Sequence, residues 1–262
     1  MTEEKQTAGK KTLLVGVVLD ESGSMGACWE PTIDGYNEYI KAMRKDQAGV
    51  AVHTTLVKFN TKYEVVHAGF DLAKAPLLNK HNYKPGGMTA LYDAVAQGII
   101  QLDEMVARHK LASGDEPQVI CVVITDGGEN SSIEHTLSAI QTMITDRDNL
   151  ANWTFVYLGT DADTWDVAQS MGVPASNTMQ WRHSNTGDAY AGLAKGATVT
   201  MAAMASGQPV QSAAYFSAAN VSQDDILGNV TTTGETLTDD GQSILNTSKS
   251  RKWQNALKKA KE

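Results

Sequence analysis

The chain has 262 residues, with 22 Lys and Arg against 30 Asp and Glu, a net charge of -8 and two cysteines. That balance excludes a protein held on nucleic-acid phosphates, which needs a basic footprint, and two cysteines cannot build a disulfide-dense secreted scaffold. A hydrophobic content of 42% suits a globular chain, and the length allows one α/β domain of about 200 residues with a tail.

In chain order, Met1–Lys11 is a polar lead, and Leu13–Leu19 is the first apolar run. Seven residues are short for a signal-peptide core and far short of a membrane span. The expected location is therefore the cytoplasm, with Cys28 and Cys121 as small apolar packers. The Leu13–Leu19 run reads as a central strand buried on both faces. Ile33, Tyr36, Ile40 and Met43 are spaced for a helix over Pro31–Lys45. Val50–Phe59 alternates like a partly exposed strand and, across Asn60-Thr61-Lys62, should pair with Tyr63–Phe70 as a hairpin. Val95, Ile99, Leu102 and Val106 predict a helix over Leu91–Leu111, and Gln118–Thr125 a second fully apolar strand. Ile133, Leu137, Ile140 and Ile144 predict an amphipathic helix. Trp153–Leu158 is a third central strand, Asp163–Met171 a short helix, Thr178–Trp181 a short last strand, and Gly187–Met204 an Ala-rich helix.

Strands alternating with helices predict a doubly wound α/β fold, with a mostly parallel sheet, helices on both faces and one antiparallel edge strand. From Gly196 to Ser248 there are five acids and no Lys or Arg, whereas 249–262 carries six basic residues and one acid, so the rest of the chain has a net charge of -13. The predicted division is a lead over 1–11, a domain over 12–206, a Ser/Thr/Gly-rich acidic linker or tail over 207–248, and a short basic amphipathic helix over 249–262.

In an open parallel sheet, ligands bind beyond the carboxyl ends of the strands. Asp20-Glu-Ser22-Gly-Ser24-Met-Gly26 follows the first apolar strand, and Asp126-Gly-Gly-Glu-Asn130 follows the second. Between them in sequence, Pro85-Gly-Gly-Met-Thr89-Ala-Leu-Tyr-Asp-Ala94 runs into a helix. Three loops thus offer two carboxylates and three hydroxyls, an all-oxygen set that selects hard divalent cations: Mg²⁺ first, with Mn²⁺ or Ca²⁺ as alternatives. Gly23, Gly26, Gly86, Gly87, Gly127 and Gly128 are expected to let the backbones crowd such an ion.

Asp20-x-Ser22-x-Ser24, Thr89 in its Gly-Gly-x-Thr loop and Asp126 in Thr-Asp-Gly resemble the complete metal-ion-dependent adhesion site of the von Willebrand factor type A domain, over roughly residues 12 to 206. The loop wording is most similar to small stand-alone bacterial and phage members. The resemblance implies direct ligation by Ser22, Ser24 and Thr89, with Asp20 and Asp126 binding directly or through water. It also implies an open position for an Asp or Glu carboxylate of a partner protein. Glu21, Met25, Met88, Gly127, Glu129 and Asn130 are the expected partner-binding rim, although simple solvated loop roles suit Glu21, Glu129 and Asn130 better than ligation. Asp93 is expected to support the site from the first turn of its helix, and Trp29 to pack.

A binding module, not an enzyme, is therefore expected. One alternative is a Mg²⁺-dependent phosphatase-like hydrolase using Asp20; the acid/base carboxylate it needs two residues on is here Ser22. The other is a scaffold in which the metal serves only as a staple.

Overall fold

The computed structural model describes residues 11–160 and 163–227. Among these, six strands form one sheet in the order β3-β2-β1-β4-β5-β6. They are β1 (Thr12–Asp20), β2 (Ala51–Phe59), β3 (Tyr63–Asp71), β4 (Gln118–Ile124), β5 (Trp153–Gly159) and β6 (Thr178–Gln180). Neighbours pair in parallel except β2 and β3, which form the antiparallel hairpin at one edge. This is the expected fold class, with strand order reversing between β1 and β4, where open α/β sheets leave a crevice.

Alternation within β1 explains its continuous apolar run. Leu13, Val15, Val17 and Leu19 enter the core on one face, Leu14 and Val18 the core on the other. Helices α1 (Trp29–Lys45) and α5 (Thr186–Ser206) cover the first face. The second is covered by α2 (Leu91–Ser113), α3 (Leu137–Asp148) and α4 (Thr164–Ser170). On α1, Ile33, Tyr36, Ile40 and Met43 are all buried, as their spacing predicts. Gly35 lets α5 approach closely, because a Cβ there would stand 2.3 Å from the ring of Tyr190.

Three expectations are revised. The helix predicted from Ile133 begins only at Leu137, and Ile133 is 91% exposed. The cause is Asp93, whose carboxylate accepts the backbone N–H of Ile133, Glu134 and His135 at 2.7–3.0 Å, while the Thr136 hydroxyl caps the helix. Strand β2 is almost entirely buried, since β3 flanks it on its outer side. Packing also continues past residue 206: Tyr215 and Phe216 on α6 (Tyr215–Ala218), Val221, and Ile226 on α7 (Gln223–Leu227) lie in the core with α1 and α5. The rest of the predicted tail, 228–248, and the basic helix predicted over 249–262 lie outside the described residues.

Cys28 and Cys121 are buried free thiols, as expected. Among the described residues, no helix is long and apolar enough to cross a membrane.

His67 on β3 is a buried imidazole beside Thr54 Oγ1, and its Nδ1 has no partner among the described residues. Burial pushes its pKa down from 6.5 to about 4. The folded state keeps it neutral while the unfolded chain takes up a proton near 6.5, so stability falls as pH drops from about 6.5 towards 4. The ceiling is ~3 kcal/mol at about 1.4 kcal/mol per pH unit. Urea unfolding of His67→Phe should show that slope removed; a slope equal to the parent's would refute the assignment.

Candidate metal centre

The three predicted loops meet at the carboxyl ends of β1 and β4, stitched together by backbone hydrogen bonds. Gly23 N–H donates to the Gly87 carbonyl (3.1 Å), Gly86 N–H to the Glu21 carbonyl (2.9 Å), and Asn130 N–H to the Thr89 carbonyl (3.0 Å). Gly87 is the glycine that this junction requires: it has φ +80°, and a Cβ would lie 2.7 Å from Thr61 Oγ1. At Gly26, Gly86 and Gly128 a Cβ would meet no protein atom within 4 Å.

Asp20 ends β1 and is fully buried. Its Oδ1 accepts Ser22 N–H and its Oδ2 the Thr125 hydroxyl, both at 2.6 Å. Burial nevertheless raises its pKa from 3.8 to about 6, against the lowering effect of those hydrogen bonds and with a further push from Asp126. Ser22 and Ser24 hydroxyls lie 3.1 Å apart, and Ser24 donates to Asp126 Oδ1 at 2.6 Å. Thr89 is buried, and a Cβ built on Gly127 would stand 3.8 Å from both Thr89 Oγ1 and Ser24 Oγ. Asp20, Ser22, Ser24 and Asp126 are therefore linked by hydrogen bonds, with the Thr89 hydroxyl in the same neighbourhood, near Gly127.

Two buried carboxylates, one with its charged form penalised, together with three hydroxyls that retain acceptor lone pairs, suit a small hard cation. Among the described residues no group of three or more His, Cys, Asp or Glu is placed to hold a metal.

The expected rim divides. Met88 is half exposed and Asn130 exposed; Gly127 and Glu129 are intermediate. Glu129 is a brace, accepting Tyr92, Ser131 and Ser132 N–H and the Ser132 hydroxyl, and Asn130 Oδ1 accepts Thr89 N–H. Glu21 and Met25 are not on the rim. Met25 is fully buried in the α1 core, and the Glu21 carboxylate turns inward to Lys58 Nζ at 3.1–3.2 Å, also accepting Lys84 N–H. The alternation of polar residues around Ser22 hides this, because the partner, Lys58, comes from a neighbouring strand. Trp29 packs, donating its indole N–H to the Tyr83 carbonyl.

Four residues were not anticipated. Tyr83, Thr125, Lys58 and His183 respectively hold the Asp20 carbonyl (2.7 Å), the Asp20 carboxylate, Glu21, and Asp126 Oδ2 (2.9 Å). Thr125 is the Thr of the Thr-Asp-Gly motif; Tyr83, Lys58 and His183 lie in no motif.

Sheet order, switch-point loops and the oxygen cluster define a doubly wound α/β domain with its candidate site at the β1/β4 crevice. No family model matches the chain, and no curated protein matches it. Among solved structures it is similar to the pilus adhesin SpaC from Lactobacillus rhamnosus GG, with a TM-score of 0.53 and 15% identity over 74% of this chain and 31% of that one. It is also similar to the vWF domain of the type V pili tip protein Mfa5 from Porphyromonas gingivalis, with a TM-score of 0.49 and 14% identity over 72% of this chain and 95% of that one. Proximal thread matrix protein 1 from the mussel byssus gives a TM-score of 0.50 and 11% identity over 69% of this chain and 46% of that one. The similarity to SpaC and to proximal thread matrix protein 1 is one of fold.

Proposed function

We propose that this protein is a divalent-metal-dependent protein-binding module, and that an Asp or Glu side chain of another protein completes the coordination of the cation. The observation that carries the reading is the hydrogen-bonded set Asp20, Ser22, Ser24 and Asp126 at the carboxyl edge of the sheet, with Thr89 in the neighbouring loop. Asp20 and Asp126 supply charge, and Ser22, Ser24 and Thr89 supply neutral oxygens. A cation held mainly by hydroxyls keeps much of its charge and attracts an external carboxylate, which reconciles an acidic protein with an acidic ligand. Mg²⁺ is the first choice, with Mn²⁺ or Ca²⁺ as alternatives. The pilus adhesins among the similar folds make a protein-interaction role consistent with the architecture.

Hydrolysis has less in its favour. Ser22 stands where a phosphatase of the Asp-nucleophile type needs its second carboxylate, and the neighbouring Glu21 is committed to Lys58. Ser24, Asp126 and His183 do form a chain, but Asp126 lies between the other two. A nucleophilic triad requires the histidine in the middle, where it can take the serine proton. A metal acting only as a staple predicts stabilisation without any ligand.

The test is calorimetric titration with Mg²⁺ and Mn²⁺, followed by affinity capture from the native host in Mg²⁺ and in EDTA, with Asp126→Ala as control. Metal uptake and a captured protein lost both in EDTA and in the variant are expected. Absence of metal uptake would refute the reading.

A further inference from the structure

We infer that His183 is a positioning residue for Asp126, setting the orientation of that carboxylate and hence the affinity of the site for its cation. The inference rests on the metal-binding reading above and extends it to a residue outside the motif. The Asp126 side chain is fully buried, so each of its oxygens needs a partner. Ser24 supplies one at Oδ1, 2.6 Å away; His183 Nε2 supplies the other at Oδ2, 2.9 Å away. A carboxylate otherwise turns freely about its last bond, and these two contacts on opposite oxygens stop that rotation. Ser24 alone could not, because as a cluster oxygen it would itself share the cation.

The imidazole is held by Asp126 and one aromatic neighbour, with its side chain 36% exposed. It stands edge-on to Trp181, with ring centroids 5.6 Å apart, and Trp181 is itself fixed by its indole N–H to the Thr125 carbonyl at 3.2 Å. The His183 carbonyl accepts the Thr186 hydroxyl at 2.9 Å, at the first residue of α5. The contact therefore ties the β6–α5 connection to the end of β4, across 57 residues of sequence. Only the Nε2–H tautomer (or the doubly protonated ring) can donate to Asp126.

Outer partners of metal ligands typically change affinity 10- to 100-fold when removed. The full-length chain, its His183→Ala variant and its His183→Gln variant would be titrated with Mn²⁺, following the free ion by electron paramagnetic resonance. Metal-free thermal melts of all three would be recorded alongside. His183→Ala is expected to bind Mn²⁺ about 10- to 100-fold more weakly, with a lower metal-free melt because buried Asp126 Oδ2 loses its partner. His183→Gln, which keeps an N–H donor at similar reach, is expected to recover most of the loss. Equal affinity of His183→Ala and the parent would overturn the inference. So would a His183→Gln variant as weak as His183→Ala, since ring packing on Trp181 would then be the cause. A parent that binds no Mn²⁺ would instead defeat the metal reading itself, and the inference with it.

Discussion

Asp20→Asn is expected to lose divalent-cation binding by on the order of 100-fold or more, since even outer partners of a metal ligand carry up to that much, while the metal-free protein becomes more stable than the parent. The two effects share one cause. Asp20 is fully buried, beside a second carboxylate, and its pKa is raised to about 6. A raised carboxyl pKa means that the metal-free fold holds a proton the unfolded chain has already lost above 3.8. Stability is therefore full below that value and falls as pH rises through about 6. At about 1.4 kcal/mol per pH unit the loss reaches ~3 kcal/mol above pH 6. Asparagine carries no charge to desolvate; it keeps one oxygen acceptor but gives up the second, so the gain is bounded by that figure. Calorimetric titration with Mg²⁺ and urea unfolding in EDTA at pH 7.5 measure the two effects. A variant that both binds metal normally and unfolds like the parent would exclude Asp20 from the site; loss of stability in EDTA would mean that its hydrogen bonds to Ser22 and Thr125 outweigh its burial.

Lys58→Met should destabilise the fold by about 3–5 kcal/mol, the usual cost of stranding one member of a buried ion pair. The Lys58 and Glu21 side chains are only 7% and 10% exposed. Lys58 also donates to the Asn82 carbonyl at 2.6 Å, and its other acidic partner, Glu64, is 66% exposed and can turn to water. Without Lys58, the buried Glu21 side chain loses its counter-ion. Methionine preserves much of the aliphatic volume, so the loss reports charge more than packing. The double variant Glu21→Gln with Lys58→Met should recover most of the stability, because no isolated charge remains. The effect should also reach the candidate site: Glu21 accepts Lys84 N–H, and its carbonyl accepts Gly86 N–H, in the loop that carries Thr89. Urea unfolding of the three variants provides the measurement; a loss below about 1 kcal/mol, typical of an exposed pair, would show that Glu21 and Lys58 are effectively solvated.

Much of the fold was legible because its signals are local. Four strands are runs or alternations of apolar residues, and α1 and α2 keep their apolar spacing over several turns. The end of the domain was not legible, because α6 and α7 are too short to have a period and are defined by burying Tyr215, Phe216 and Ile226 against α5. Ile133 failed for the opposite reason: its spacing fits a helix, but three N–H bonds to Asp93, forty residues earlier, hold its backbone elsewhere.

For the site, residue type and position after an apolar strand pointed to Asp20, Ser22, Ser24 and Asp126, and the Gly-Gly-x-Thr loop entering α2 pointed to Thr89. Each loop follows a sheet strand or enters a helix, and a parallel sheet sends such loops to one edge. Which neighbouring groups face inward was decided only by tertiary structure. Glu21 is buried because Lys58 waits on the next strand, and Met25 because the 3-10 turn Gly23–Cys28, of which it is part, places it in the core with α1. Thr125 and His183 are joined to the carboxylates only by folding. The chain's pattern thus determined the sheet and the chemistry offered at its edge. Long-range hydrogen bonds and burial, which leave no periodic trace in sequence, determined how those charges are held.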